Sequence, residues 1–129
     1  MPNILIVDDD PILAIALSRY LDKRGYCTEV EGVGERVVAR ILAERPDAVI
    51  LDANLPGTDG FAICSSVRSR YSGMILMLTA HEGEFDRILS QETGADEFVT
   101  KPAKLEVIEE HLQALLRQGT LRSGRGAGD

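Results

Sequence analysis

Cysteine is scarce in this chain, basic residues are outnumbered, and no apolar run is long. Each shortage closes off a class of protein. Cys27 and Cys64 have neither a CxxC spacing nor a histidine cluster beside them, so they read as small reduced hydrophobes rather than as a disulfide framework or a metal site. No hydrophobic stretch approaches the roughly 20 residues that cross a bilayer, and the chain opens without a charged-then-apolar leader. These two absences predict a cytoplasmic protein with no membrane contact. Lys and Arg total 14 against 21 Asp and Glu, for a net charge of −7. A phosphate backbone demands a basic face, so direct nucleic-acid binding by this segment is not expected. What remains is 129 residues, 44% hydrophobic and 27% charged, the composition and length of one water-soluble domain.

What the chain does have is a regular alternation. Asn3 to Val7 is a short apolar run closed by Asp8, the pattern of a strand buried on both faces of a parallel sheet. Asp10-Pro11 then predicts a helix start, with Asp10 as N-cap and Pro11 at the first helical position, where its missing N–H costs nothing. Leu13, Leu17, Tyr20 and Leu21 continue at helical spacing to a basic last turn and the stop at Gly25. Tyr26 to Glu31 alternates in polarity, as an edge strand does, and Val38, Ile41 and Leu42 mark a second helix ending before Pro46. Asp47 to Leu51 is the third strand, followed by a long turn rich in breakers from Asp52 to Gly60. Ile63, Cys64 and Val67 give a third helix, Met74 to Leu78 a fourth strand, His81 to Thr93 a weakly amphipathic fourth helix, and Asp96 to Thr100 a fifth strand. Leu105, Ile108, Leu112, Leu115 and Leu116 line a fifth helix. From Gln118 the composition turns to glycine, serine and arginine. Residues 1–117 therefore read as the domain, and 118–129 as a flexible tail or the start of a linker. Five strands alternating with five helices predict an α/β fold, a doubly wound parallel (βα)5 sheet.

The strands end at chemically pointed residues. Asp8 and Asp9 follow the first, Asp52 the third, Thr79 the fourth and Lys101 the fifth. In such sheets ligands bind outside the carboxyl ends of the strands, at the point where the strand order reverses. Three carboxylates gathered there repel one another by roughly 4 kcal/mol per pair at about 4 Å and an effective dielectric near 20. A hard divalent cation relieves that repulsion, and Mg²⁺ favours one or two carboxylates plus waters and phosphate oxygens. Bringing Asp8 and Asp9 beside Asp52 requires the first and third strands to be neighbours, as in the flavodoxin-like strand order 2-1-3-4-5.

Four segments, Val7-Asp8-Asp9-Asp10, Leu51-Asp52-Ala53-Asn54-Leu55-Pro56-Gly57-Thr58-Asp59-Gly60, Leu78-Thr79-Ala80 and Gly94-Ala95-Asp96-Glu97-Phe98-Val99-Thr100-Lys101-Pro102, together resemble the signature segments of bacterial two-component response-regulator receiver domains. The resemblance runs from about residue 2 to 117. It implies that Asp52 is the phosphoacceptor, supplied by a sensor histidine kinase or phosphotransfer protein. Asp8, Asp9 and Asp52 would hold Mg²⁺ (or Mn²⁺) together with the main-chain carbonyl of Asn54. Thr79, Ala80 and Lys101 would bind the phosphoryl oxygens. Thr79 and Phe98 would be the switch, remodelling the face formed by the fourth helix, fifth strand and fifth helix. The resemblance further implies a cis Lys101–Pro102 peptide, and places Asn54 and His81 where they would modulate dephosphorylation.

Finer features resemble receivers attached to winged-helix transcription factors, which pair through that same face. Asp86-Arg87, Asp96-Glu97 and the closing Leu112 to Arg117 carry this likeness, and it leaves room for an output domain beyond residue 117. Val107 and His111 stand where that group places an acidic and a basic residue, and Ala103 replaces its usual aromatic, so the homodimer is in question. Two other readings stay open at this level. A phosphohydrolase with an aspartyl nucleophile would have Asp-x-Asp after its first strand, whereas Asp52 is followed at that spacing by Asn54. A receiver-like binding module that takes no phosphate would not need the complete set of Asp8, Asp9, Asp52, Thr79 and Lys101.

Overall fold

The computed structural model describes residues 1–80, 88 and 92–128, with side chains described as far as Gly119. In chain order the elements are β1 (Asn3–Val7), α1 (Pro11–Lys23), β2 (Cys27–Glu31), α2 (Gly34–Glu44), β3 (Ala48–Asp52), a small hairpin β4 (Asn54–Leu55) and β5 (Thr58–Asp59), α3 (Gly60–Arg68), β6 (Met74–Thr79), β7 (Glu97–Thr100) and a C-terminal helix (Leu105–Gly128). The main sheet has the order β2-β1-β3-β6-β7, and all its pairings are parallel. That is the flavodoxin-like order expected, β6 and β7 being the fourth and fifth strands of the main sheet. The fourth helix expected at His81 to Thr93 lies mostly outside the described residues.

The two-residue period of a strand sorts each apolar run into two layers. Ile4, Ile6, Ile50, Leu76 and Leu78 face α1 and the C-terminal helix, meeting Ala14, Leu17, Leu21, Ile108, Leu112 and Leu115. Leu5, Val7, Val49, Leu51, Ile75 and Met77 face the other way, onto Val37, Ile41, Ile63, Cys64 and Val67 of α2 and α3. Each such side chain contributes about 1.5–3 kcal/mol on leaving water, which explains why β1, β3 and β6 read as continuous apolar runs. The edge strand β2 is mostly exposed, in keeping with its alternation.

Helix ends follow local chemistry. The carboxylate of Asp10 accepts from the N–H groups of Ile12 and Leu13, with Pro11 at the first helical position. Asp59 caps α3 by accepting from Phe61 N–H at 2.9 Å. Strand boundaries differ from the sequence reading by a residue: β3 runs through Asp52 and β6 through Thr79, because the parallel ladder carries the backbone one step past the apolar run. The C-terminal helix continues to Gly128, through residues 118–128, which the composition reads as a flexible tail or the start of a linker. Helical backbone can cross a glycine at about 1 kcal/mol relative to alanine. Gly119 is the last residue there with described packing, lying against Met74.

Candidate functional site

The register of the sheet builds the site. Val7 is paired with Leu51, so the next residues on those strands, Asp8 and Asp52, leave the sheet side by side. Asp52 is paired with Leu78 and Thr79 with Thr100, which sets Thr79 and Lys101 next along the same edge. Lys101 N–H extends the ladder by donating to the Thr79 carbonyl at 2.6 Å. The Lys101–Pro102 peptide is cis, as the resemblance implied.

Two short-range bonds aim the carboxylates. Asp10 N–H donates to Asp8 Oδ1 at 3.0 Å, and Asn54 N–H donates to Asp52 Oδ1 at 3.0 Å. Each leaves the second oxygen for Lys101, whose Nζ lies 3.1 Å from Asp8 Oδ2 and 3.3 Å from Asp52 Oδ2. Asp8 and Asp52 are 3% and 4% exposed, and Thr79 is 1% exposed. Asp9 is exposed, yet one oxygen from each of Asp8, Asp9 and Asp52 lies within 4.8 Å of the others. Gly60 supports the arrangement from below. Its N–H donates to the Ala53 carbonyl, and a Cβ there would sit 2.4 Å from the Asp52 carbonyl oxygen, so only glycine lets α3 start so close to the end of β3.

Among the described residues, charge in this pocket is unbalanced: three carboxylates face one ammonium. Burial pushes the Asp52 carboxyl above the usual range. The Asp8 charge adds to that shift, while the Asn54 N–H and Lys101 hold it down. For Lys101, burial alone would lower the pKa, but Asp8 and then Asp52 outweigh it and raise the ammonium above its ordinary value. Lys101 is therefore firmly cationic and cannot neutralise the cluster alone. Clustered hard oxygen donors with residual negative charge suit Mg²⁺ or Mn²⁺ far better than a soft metal, since no sulfur or imidazole is among them.

The sequence-derived residues Asp8, Asp9, Asp52, Thr79 and Lys101 are thus brought to one place. Asn54 and Ala80 border it, both exposed. Phe98 is half-buried on β7, against the core layer of α2 and α3, whereas His81 lies outside the described residues. Several features escaped the sequence reading. The β4–β5 hairpin is too short to leave a periodicity. Buried Glu31 accepts from Val33 N–H at 3.1 Å and meets Arg40 at 3.3 Å; an acidic residue in an inward strand position was its only signal. Buried Glu109 pairs with Arg24 across α1 and the C-terminal helix. His111 Nδ1 lies 3.6 Å from Glu97 Oε2.

The family model for the response regulator receiver domain matches residues 4–113. The chain belongs to the receiver-domain family. This receiver is 34% identical over 123 residues to the transcriptional regulatory protein AfsQ1 of Streptomyces coelicolor, covering 95% of this chain and 55% of that protein. It is 36% identical over 129 residues to the sensory transduction protein RegX3 of Mycolicibacterium smegmatis, covering 100% of this chain and 57% of that one. The receiver therefore spans little more than half the length of these curated relatives. Among solved structures, the BeF3-activated N-terminal receiver domain of Klebsiella pneumoniae RstA superposes with a TM-score of 0.83 at 36% identity, over 89% of this chain and 98% of that one. A CheY-like receiver from Methanospirillum hungatei superposes at 0.88 with 24% identity, over 95% and 98%, a likeness of fold. Receiver domains are signalling modules of two-component systems and interact with sensor kinases. No helix among the described residues is long and apolar enough to cross a membrane.

Proposed function

We propose that this receiver is a phosphorylation switch whose Asp52 accepts a phosphoryl group from a sensor histidine kinase or phosphotransfer protein in the cytoplasm. The observation that carries the reading is the pairing of Lys101 with both Asp8 and Asp52 beside a three-carboxylate cluster. Asp8, Asp9, Asp52 and the Asn54 carbonyl would hold Mg²⁺ or Mn²⁺, which when bound neutralises charge on the transferring group. Asp52 forms the new P–O bond as the P–N bond of the donor phosphohistidine breaks. Lys101 pairs with one phosphoryl oxygen, and the Thr79 hydroxyl and the Ala80 backbone receive the others. Positioning and charge neutralisation are nearly all that a loose phosphoryl-transfer transition state requires.

Phosphorylation adds about −1.5 to −2 of charge and strong acceptors, drawing Thr79 toward Asp52 and letting Phe98 turn into the space released. The output surface includes β7 and the C-terminal helix; the fourth helix expected to complete it lies mostly outside the described residues. A 10⁴-fold preference of phosphate for the active state corresponds to about 5.5 kcal/mol. We place the domain boundary at residue 117, within the C-terminal helix, which leaves room for an output domain beyond it. Homodimerisation through the output face is tested by sedimentation with and without beryllofluoride, and a monomer in both conditions rejects the dimer. Asn54 and His81 are assigned to the rate at which water reaches the acyl phosphate, so His81→Ala should change its lifetime.

Incubation with acetyl phosphate and Mg²⁺, read by intact mass, tests the central claim. The wild type should gain one phosphoryl increment, which Asp52→Asn and chelation of the metal should each abolish. An unmodified wild type would leave a binding module in place of the switch.

A further inference from the structure

The loop between β2 and α2 packs beside the end of β1, where Asp8 leaves the sheet. Asp8 N–H donates to the Glu31 carbonyl at 3.3 Å, and Gly32 sits close enough to the Asp8 carbonyl that an added Cβ would lie 3.6 Å from it. Glu31 tightens this loop through the Val33 N–H and Arg40. The tightened loop delivers Gly34, the first residue of α2, onto Thr58 of the β4–β5 hairpin. A Cβ on Gly34 would lie 2.7 Å from both Thr58 Cβ and Thr58 Oγ1. Thr58 Cβ is fixed to the backbone, so the overlap cannot be relieved by rotating a side chain.

The hairpin is also what holds Asn54. Leu55 is paired with Thr58 and Asn54 with Asp59, and Asn54 N–H is the donor that aims Asp52 Oδ1. A push on Thr58 is passed through two backbone pairs to the residue that orients the buried carboxylate. Gly34 has no left-handed φ, so its backbone conformation does not require glycine. Alanine at that position would even raise helix propensity. The close approach of the hairpin is what calls for glycine there.

We propose that Gly34 is a positioning residue for the acidic site: its lack of a side chain lets the β4–β5 hairpin close on α2, and that closure fixes Asn54 and Asp52 for Mg²⁺. This rests on reading Asp8, Asp9 and Asp52 as the metal site. Gly34→Ala should weaken Mg²⁺ binding by about tenfold while the metal-free protein keeps its far-ultraviolet circular dichroism. In metal-free protein it should also shift the amide resonances of Asp52 and Asn54 and speed exchange of the Asn54 N–H. Removing the opposing Cβ should cancel the effect. In a Thr58→Gly background, Gly34→Ala should change Mg²⁺ affinity by less than about twofold and leave the Asn54 amide where Thr58→Gly alone puts it. Should Gly34→Ala alone not fold, the double variant must recover both fold and metal affinity. A Gly34→Ala protein with wild-type affinity and an unmoved Asn54 amide overturns the proposal, as does a defect that Thr58→Gly does not relieve. A wild type that binds no Mg²⁺ counts against the switch reading instead, and the metal-free amide measurements then decide the role of Gly34 on their own.

Discussion

The two ends of the sheet both hold partly or fully buried polar groups, and they treat charge in opposite ways. At the amino ends of β6 and β7 a single guanidinium, Arg68, donates to the carbonyls of Gly94, Tyr71 and Gly73 and to Asp96 Oδ2. Asp96 Oδ2 also accepts from Ile75 N–H, and the Tyr71 hydroxyl donates to the Pro46 carbonyl at 2.6 Å. Burial drives the Tyr71 phenol far above its ordinary pKa, so it stays protonated and able to donate. Arg68 and Asp96 form a one-to-one ion pair there, and the other acceptors of Arg68 are neutral carbonyls. At the carboxyl ends, among the described residues, one ammonium meets three carboxylates. A balanced, saturated network is scaffold, whereas an unbalanced one that is otherwise well ordered waits for a charged ligand.

Disrupting the balanced end should give the largest change in stability. Arg68→Ala removes the guanidinium that Asp96 and three carbonyls accept from, and should cost about 3 kcal/mol in urea denaturation, with Mg²⁺ affinity of the folded fraction unchanged. A matching loss of metal affinity would mean that the two ends are not separable. Filling the unbalanced end should do the reverse. Mg²⁺ at a hundredfold excess over its dissociation constant should stabilise the wild type by about 2.7 kcal/mol, measured as a rise in melting temperature that chelation undoes. Tyr71→Phe should cost about 1–2 kcal/mol by leaving the Pro46 carbonyl without its buried donor, and the Mg²⁺ increment should survive in full.

The smallest effect sharpens the contrast most, because it carries the opposite sign. Asp52 has a raised pKa in the fold, so the folded protein retains a proton that the unfolded chain releases. Metal-free stability should therefore fall as pH climbs from the ordinary carboxylate range through the raised value. Asp52→Asn removes that penalty and should melt at a slightly higher temperature than the wild type near neutral pH in chelator. The gap should close as pH drops below the window, and reverse when Mg²⁺ is added. An Asp52→Asn protein less stable than wild type in chelator at neutral pH would show that the pairing of Asp52 with Lys101 outweighs the strain of the cluster.

Much of this arrangement was legible beforehand, for reasons that differ by residue. Asp8, Asp52, Thr79 and Lys101 each stand where an apolar run stops, and a run buried on both faces stops only where the chain leaves the sheet. Asp10 was separable from its two neighbours because Pro11 marks a helix start. Arg68, Glu31 and Glu109 were not legible, since a charged residue with a buried partner looks in sequence like any solvated charge. The β4–β5 hairpin and the Gly34–Thr58 contact were hidden for another reason: two-residue strands have no period, and an absent side chain leaves no pattern.

Local periodicity and strand-end chemistry were enough to determine the alternating elements, the sheet and the identity of the acidic and cationic residues, because these depend on neighbours along the chain. Only the tertiary structure decided that Lys101 reaches both Asp8 and Asp52, that Asn54 aims the latter, and that α2 presses on the hairpin. Those distances are set by the register between strands far apart in sequence, and a one-residue slip in any of them would separate the charges while leaving every local pattern intact.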